Sequence, residues 1–193
     1  MRTKRKITEP EGVYFITFTC LHWQPLIQIV DGYDLVYKWF DYLKSKGHYI
    51  LGYVIMPNHI HVLIAFRNTL QSINTIVGNG KRFMAYAIVK RLKAISEERL
   101  LRKLEWNVNI SDRERNKLHE VWESSFNWKE CRTNAFLRQK LNYTNANPCK
   151  GKWMLADTPV NYLHYSAKYY GTGEQGFYEV LHYLELADID LTR

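Results

Sequence analysis

Two histidines separated by one aliphatic residue stand in the stretch Met56-Pro57-Asn58-His59-Ile60-His61-Val62-Leu63-Ile64. The run around them is apolar and reads as a buried β-strand. Strand side chains alternate between faces, so His59 and His61 point to one side while Ile60 and Val62 point to the other. Two imidazoles side by side on a sheet offer a divalent metal two nitrogen ligands. A His-x-His pair on a half-exposed strand can equally be polar surface, so a metal role needs partners elsewhere in the chain.

A second stretch, Tyr143-Thr144-Asn145-Ala146-Asn147-Pro148, carries the matching chemistry. Tyr143 and Asn147 are four apart and project from one face of a helix. A tyrosine on an amphipathic helix is more often packing than catalysis, and spacing alone does not choose between them. Together, however, a phenol and an amide would add a nucleophile and an oxygen ligand to the histidine pair.

The elements that must position these residues follow from pattern. Val13 to Cys20 is rich in β-branched and aromatic residues and reads as a strand. Asp31 to Lys46 carries apolar residues at helical spacing and stops at Gly47. His48 to Ile55 is a second strand, Pro57-Asn58 a turn, and His59 to Phe66 a third strand opening on the histidines. Leu70 to about Lys93 is a long helix with a Gly-Asn-Gly interruption at 78–80 that should weaken or kink it. Residues 94–118 are densely charged and form a helical insertion. Glu120 to Phe126 looks like a fourth strand, and Asn134 to Asn147 a helix ended by Pro148.

Strand, helix, strand, strand, helix, strand is the split β-α-β order of a ferredoxin-like α+β sandwich with a central antiparallel sheet. Such a sheet is expected to carry helices on one face and leave the other available for a ligand or another chain. A single domain is expected over 1–193, with a core at about 12–171 and a C-terminal tail at 172–193.

Composition narrows the partner. The chain has 193 residues, 46% hydrophobic, enough to bury a core, and no apolar run approaches the ~20 residues that span a bilayer. The basic start, Met1-Arg2-Thr3-Lys4-Arg5-Lys6, is followed by no apolar segment, so a cytoplasmic protein without a secretory leader is expected. Cys20, Cys131 and Cys149 share no metal-binding or disulfide spacing and read as reduced thiols. The net charge of +8 favours a polyanion, and 14 Tyr with 6 Trp suit stacking on unpaired bases. Lys81, Arg82, Lys90 and Arg91 decorate the long helix; such charges are usually a solvated face, but the whole-chain balance tips them towards phosphates.

Taken together, these residues resemble the IS200-like transposases, the Y1 members of the HUH endonuclease superfamily, and among them the REP-associated tyrosine transposases. The resemblance rests on the His59-Ile60-His61 motif and on Leu141-Asn142-Tyr143 through Pro148. Phe15 to Thr19, Trp122 with Phe126, and the tail pattern Pro159, Tyr162, Ser166-Ala167 and Tyr169 support it. It extends over about residues 12 to 171. Two departures stand out: Thr144-Asn145 follow the tyrosine where the family commonly has Ile-His, and the paired serines of the tail are reduced to Tyr165-Ser166. The first leaves Tyr143 and Asn147 in place; the second bears on DNA recognition by the tail.

The resemblance implies a metal-dependent single-stranded DNA endonuclease and strand transferase, a transposase acting on hairpin-containing DNA. Tyr143 would be the nucleophile, forming a 5′-phosphotyrosine link. His59, His61 and Asn147 would hold Mg²⁺ or Mn²⁺, although such a donor set also suits Zn²⁺ or Ni²⁺. Single-stranded DNA that folds into hairpins is the expected partner. The chain would act as a monomer or a homodimer, the dimer being favoured because related enzymes often lend the tyrosine helix to a partner's site. The alternative is a domesticated or inactive relative that binds hairpins without moving DNA; a structural metal-binding or RNA-binding module is weaker still.

Overall fold

The computed structural model describes residues 6–124, 126–145, 148–149 and 153–193. Its elements run β1 (Gly12–Thr19), α1 (Leu26–Ile29), α2 (Tyr33–Ser45), β2 (Tyr49–Met56), β3 (His59–Phe66), α3 (Ile73–Ala94), α4 (Glu98–Trp106), α5 (Ile110–Arg113), β4 (Asn127–Glu130), α6 (Asn134–Asn145) and α7 (Ala167–Thr172). The four strands form one antiparallel sheet in the order β2-β3-β1-β4. This is the expected split β-α-β sandwich, with β3 inserted between β1 and β2.

One face of the sheet is aliphatic and aromatic. Ile16 and Phe18 of β1 with Ile60, Val62, Ile64 and Phe66 of β3 pack against α2 (Val36, Trp39, Phe40, Leu43) and α3 (Ile76, Val77, Met84, Ile88, Leu92). The charged insertion docks here too, because Leu101 and Leu104 of α4 are buried in the same cluster. The Gly-Asn-Gly stretch does not interrupt α3, which runs unbroken through it. The reason is packing: a Cβ at Gly80 would collide with the indole of Trp39, so a glycine lets α2 approach the α3 backbone directly. Close helix contact offsets the conformational cost of glycine.

The opposite face is not left open, contrary to expectation. Phe15, Leu51, Leu63 and Ala65 are covered by Leu137 and Leu141 of α6 and by Leu181, Tyr183, Leu186 and Leu191 of the tail. Gly52 is the second close approach, since a Cβ there would strike Leu141. The outer edge of β2 is covered as well: Ile55 N–H donates to the His164 carbonyl at 2.9 Å and Ser166 N–H to the Tyr53 carbonyl at 3.1 Å. That pairing removes an exposed sheet edge.

The fourth strand also differs from its expected place. Around Val121 and Trp122 the described backbone makes a single bridge, Cys20 to Trp122, and the strand proper follows at Asn127–Glu130, paired with Tyr14–Thr17. Trp122 explains the displaced expectation. Its apolar neighbours resemble a strand, but the indole plugs the core edge-on to Phe18 at 5.3 Å. Cys20, Cys131 and Cys149 are free, and burial pushes the Cys20 thiol up to about 12. No helix among the described residues is long and apolar enough to cross a membrane.

Candidate active site

The two-residue turn Pro57-Asn58 sets the register of the β2–β3 hairpin, placing Met56 opposite His59 and Val54 opposite His61. On the other side, Thr19 lies opposite His59 and Thr17 opposite His61. Both histidines therefore emerge at one end of the sheet, on the face covered by α6. They are 9% and 8% exposed, with ring centroids 4.9 Å apart and planes at 78°.

Hydrogen bonds fix which nitrogen each ring presents. The Asn58 side-chain N–H donates to the Trp23 carbonyl at 3.0 Å, which orients the amide and leaves its oxygen 2.7 Å from His59 Nδ1. An amide oxygen only accepts, so His59 Nδ1 carries the proton and Nε2 the lone pair. His61 Nδ1 meets the Thr17 hydroxyl at 2.6 Å, and the ring stacks on Phe15 at 5.4 Å and 16°. Oxygen partners on Nδ1 that turn Nε2 towards a ligand are the usual support of a metal-binding imidazole. Burial lowers the His59 pKa to about 4; burial, then His59 and Lys140, lower that of His61 to about 3. Both rings are thus neutral at pH 7, the form that donates to a metal.

Two neutral, oriented imidazoles fit a divalent cation. Among the described residues no group of three His, Cys, Asp or Glu side chains could complete the shell. Asn147, the expected third ligand, lies outside the described residues.

Tyr143 reaches this site from α6. Leu137 and Leu141 bury one face of the helix, and the buried Thr144 hydroxyl donates to the Leu141 carbonyl at 2.6 Å and meets the Tyr165 hydroxyl at 3.2 Å. Thr144, one of the departures from the family pattern, is therefore a packing residue. Its neighbour Tyr143 turns outward, 59% exposed, with its ring edge-on to His61 at 5.9 Å and to Phe15 at 6.3 Å. The ammonium of Lys140, one turn earlier, lies 5.7 Å from the Tyr143 ring and 5.5 Å from that of Phe15. Phenol, neutral imidazoles and a cation converge where a phosphodiester could be attacked.

The remaining wall is the loop after β1. His22 and Trp23 adopt left-handed backbone conformations, φ 50° and 56°. For bulky residues this costs about 1–2 kcal/mol each and persists only where the surroundings impose it. Here His22 N–H donates to the Glu123 carboxylate at 2.8 Å, His22 Nε2 meets the Asn107 amide oxygen at 2.9 Å, and Asn58 holds the Trp23 carbonyl. The Trp23 ring meets His59 at 5.6 Å and 67°.

The four helix cations separate into two kinds. Arg91 is engaged by the fold at its partly buried position, donating to the Asp31 carbonyl at 2.6 Å and to the Asp34 carboxylate at 2.7 Å. Lys81 donates to the Glu123 carbonyl at 3.2 Å. Arg82 and Lys90 are exposed, flanking exposed Tyr86 at helical spacing. All four sit on α3, in the layer across the sheet from Tyr143. Sequence reasoning gave no site role to Thr17, Phe15, Trp23 or Lys140, although Phe15 to Thr19 entered the family resemblance. Lys140 was legible as a cation one turn before the tyrosine, whereas the others depend on strand pairing and a loop fold with no local signal.

The model of the IS200-like transposase family matches residues 34–111, a segment that holds both histidines and ends before Tyr143. Among solved structures, the chain is similar over its whole length to a structure described as a REP-associated tyrosine transposase bound to a REP hairpin. The TM-score is 0.62, with 13% identity and 98% of that chain covered. At that identity the likeness establishes the fold. A crystal structure of a putative transposase from Deinococcus radiodurans R1 aligns over 75% of this chain and 95% of its own, at 12% identity and a TM-score of 0.35. No curated protein matches the chain.

Proposed function

We propose that this chain is an IS200-like transposase, as the family match over residues 34–111 supports, and that it cuts and rejoins single-stranded DNA bearing hairpins, with Tyr143 as the nucleophile. The observation that carries this reading is the contact between Tyr143 and His61, made within one chain.

The phenolic oxygen of Tyr143 would attack the phosphorus and form a 5′-phosphotyrosine bond as the bond to the 3′ oxygen breaks. The phenol gives up a proton and the departing 3′ oxygen takes one, so the step balances without a nucleotide cofactor. A second strand's 3′ hydroxyl can run the step backwards and join new ends. Lys140 contributes positive charge beside the phosphate, and Phe15 holds both the His61 ring and the Tyr143 ring in place. His59 and His61, with Asn147, would hold Mg²⁺ or Mn²⁺, whose chemistry when bound is to absorb charge on the phosphoryl group.

One chain supplies both the histidines and the tyrosine, which supports catalysis without exchange of α6 between subunits, whether the chain is a monomer or the expected homodimer. Arg82 and Lys90 are the cations best placed to contact DNA beyond the site, Lys81 and Arg91 being engaged within the fold. The test is an SDS-resistant protein–DNA adduct formed with hairpin oligonucleotides from the DNA flanking the gene, in Mn²⁺. It should form with the wild-type chain, vanish in Tyr143→Phe, and fall sharply in His59→Ala and His61→Ala. Hairpin binding with no adduct would instead make the protein a binding-only relative.

A further inference from the structure

Two exposed aromatic rings flank the histidine pair, and only one has been given a role. Ring contacts run consecutively from Trp23 to His59 at 5.6 Å, His59 to His61 at 4.9 Å and His61 to Tyr143 at 5.9 Å. Trp23 is 58% exposed. Among the described residues, the other exposed aromatics, such as Phe83, Tyr86 and Trp106, make no ring contact with either histidine.

The loop does not present this indole by default. A turn here could be made without strain by glycine or asparagine, yet the left-handed positions are taken by His22 and Trp23. Bonds from three separate elements maintain them: Asn58 from the β2–β3 turn, Asn107 from the end of α4, and Glu123 from the segment before β4. The Asn58 amide is shared, its N–H on the Trp23 carbonyl and its oxygen on His59 Nδ1. The Trp23 backbone and the ligand-type histidine are therefore held by one group.

We propose that Trp23 is a stacking platform for an unpaired base of single-stranded DNA, next to the phosphate that Tyr143 attacks. The proposal rests on the cleavage reading and adds a positioning residue to it. An exposed indole face binds any base, because every base has a π-face. Trp23 would thereby set how the strand crosses the histidine pair rather than take part in the bond changes.

The experiment uses the full chain with Tyr143→Phe, so that binding is read without cleavage. Fluorescence anisotropy compares a fluorescein-labelled single-stranded dT15 with a 15-mer of abasic deoxyribose phosphates. Trp23→Ala should weaken dT15 binding roughly five- to 150-fold, the range of one lost base–aromatic stack. It should leave the abasic strand unchanged, and Trp23→Tyr should recover most of the loss. A change below twofold on dT15 overturns the proposal, and so does an equal loss on both strands. In the Tyr143 chain, adduct formation with hairpin DNA is scored separately. Absence of adduct in the unmodified chain sinks the cleavage reading, whereas an intact adduct with unaltered Trp23→Ala binding sinks this inference alone.

Discussion

His61 and Tyr143 meet edge to face across 5.9 Å, from a strand in the middle of the sheet and a helix laid over it. Phe15 touches both, stacked on the imidazole and edge-on to the phenol ring. The two halves of the candidate site are thus joined by packing inside one chain.

That geometry predicts action in cis. Mixing the His61→Ala and Tyr143→Phe variants should yield no more phosphotyrosine adduct than either alone. Recovery towards the wild-type level on mixing would show that α6 serves the histidines of a second copy.

Asn58 should matter to the metal without being a ligand. Its amide fixes the His59 tautomer, and loss of such support commonly costs 10- to 100-fold in metal affinity. Calorimetric titration with Mn²⁺ should show that loss in Asn58→Ala. Unchanged affinity would mean that His59 is oriented by its strand alone.

Exposed cations and anchoring cations should behave differently. Arg82→Ala and Lys90→Ala should each flatten the dependence of log affinity on log salt for a single strand by about 0.7 if the residue neutralises a phosphate. Arg91→Ala should leave that slope alone and instead lower the thermal midpoint. Its ion pair with Asp34 is only partly buried, so the cost should be about 1 kcal/mol, coming mainly from the unsatisfied Val30 and Asp31 carbonyls. A slope change in Arg91→Ala with unaltered stability would reverse this assignment.

Acid should destabilise the metal-free protein well above the carboxylate range. Burial holds His48 and His59 near pKa 4 and His61 near 3, against 6.5 for a free histidine. Between pH 6.5 and those values the unfolded chain binds protons that the folded chain refuses. Stability should therefore be flat above about pH 6.5 and fall as pH drops below it, by about 1.4 kcal/mol per pKa unit for each histidine at most. His48 Nδ1 accepts the Arg67 N–H at 3.1 Å. His48→Asn keeps an acceptor there and removes the titration, so urea midpoints between pH 6.5 and 5 should fall less steeply. An unaltered slope would exclude His48 from the acid response.

Much of this was legible in the chain itself. Alternation put His59 and His61 on one face, helical spacing outlined α2, α3 and α6, and Pro57-Asn58 marked the hairpin, because each signal is local and periodic. The Gly-Asn-Gly stretch misled, since the value of Gly80 lies in contact with Trp39 on another helix. Trp122 misled in the same way, its apolar neighbours serving a plug rather than a strand.

The split β-α-β order and the residue types at the site's disposal, two imidazoles and a phenol, can be read along the chain. That α6 closes the second sheet face, that Tyr143 lands beside His61, and that Thr17, Asn58, Lys140 and Trp23 surround them emerges on folding. The difference is one of range. Backbone periodicity is written over a few residues, whereas a tautomer, a depressed histidine pKa or a strained tryptophan loop is imposed by groups that meet only when distant elements pack.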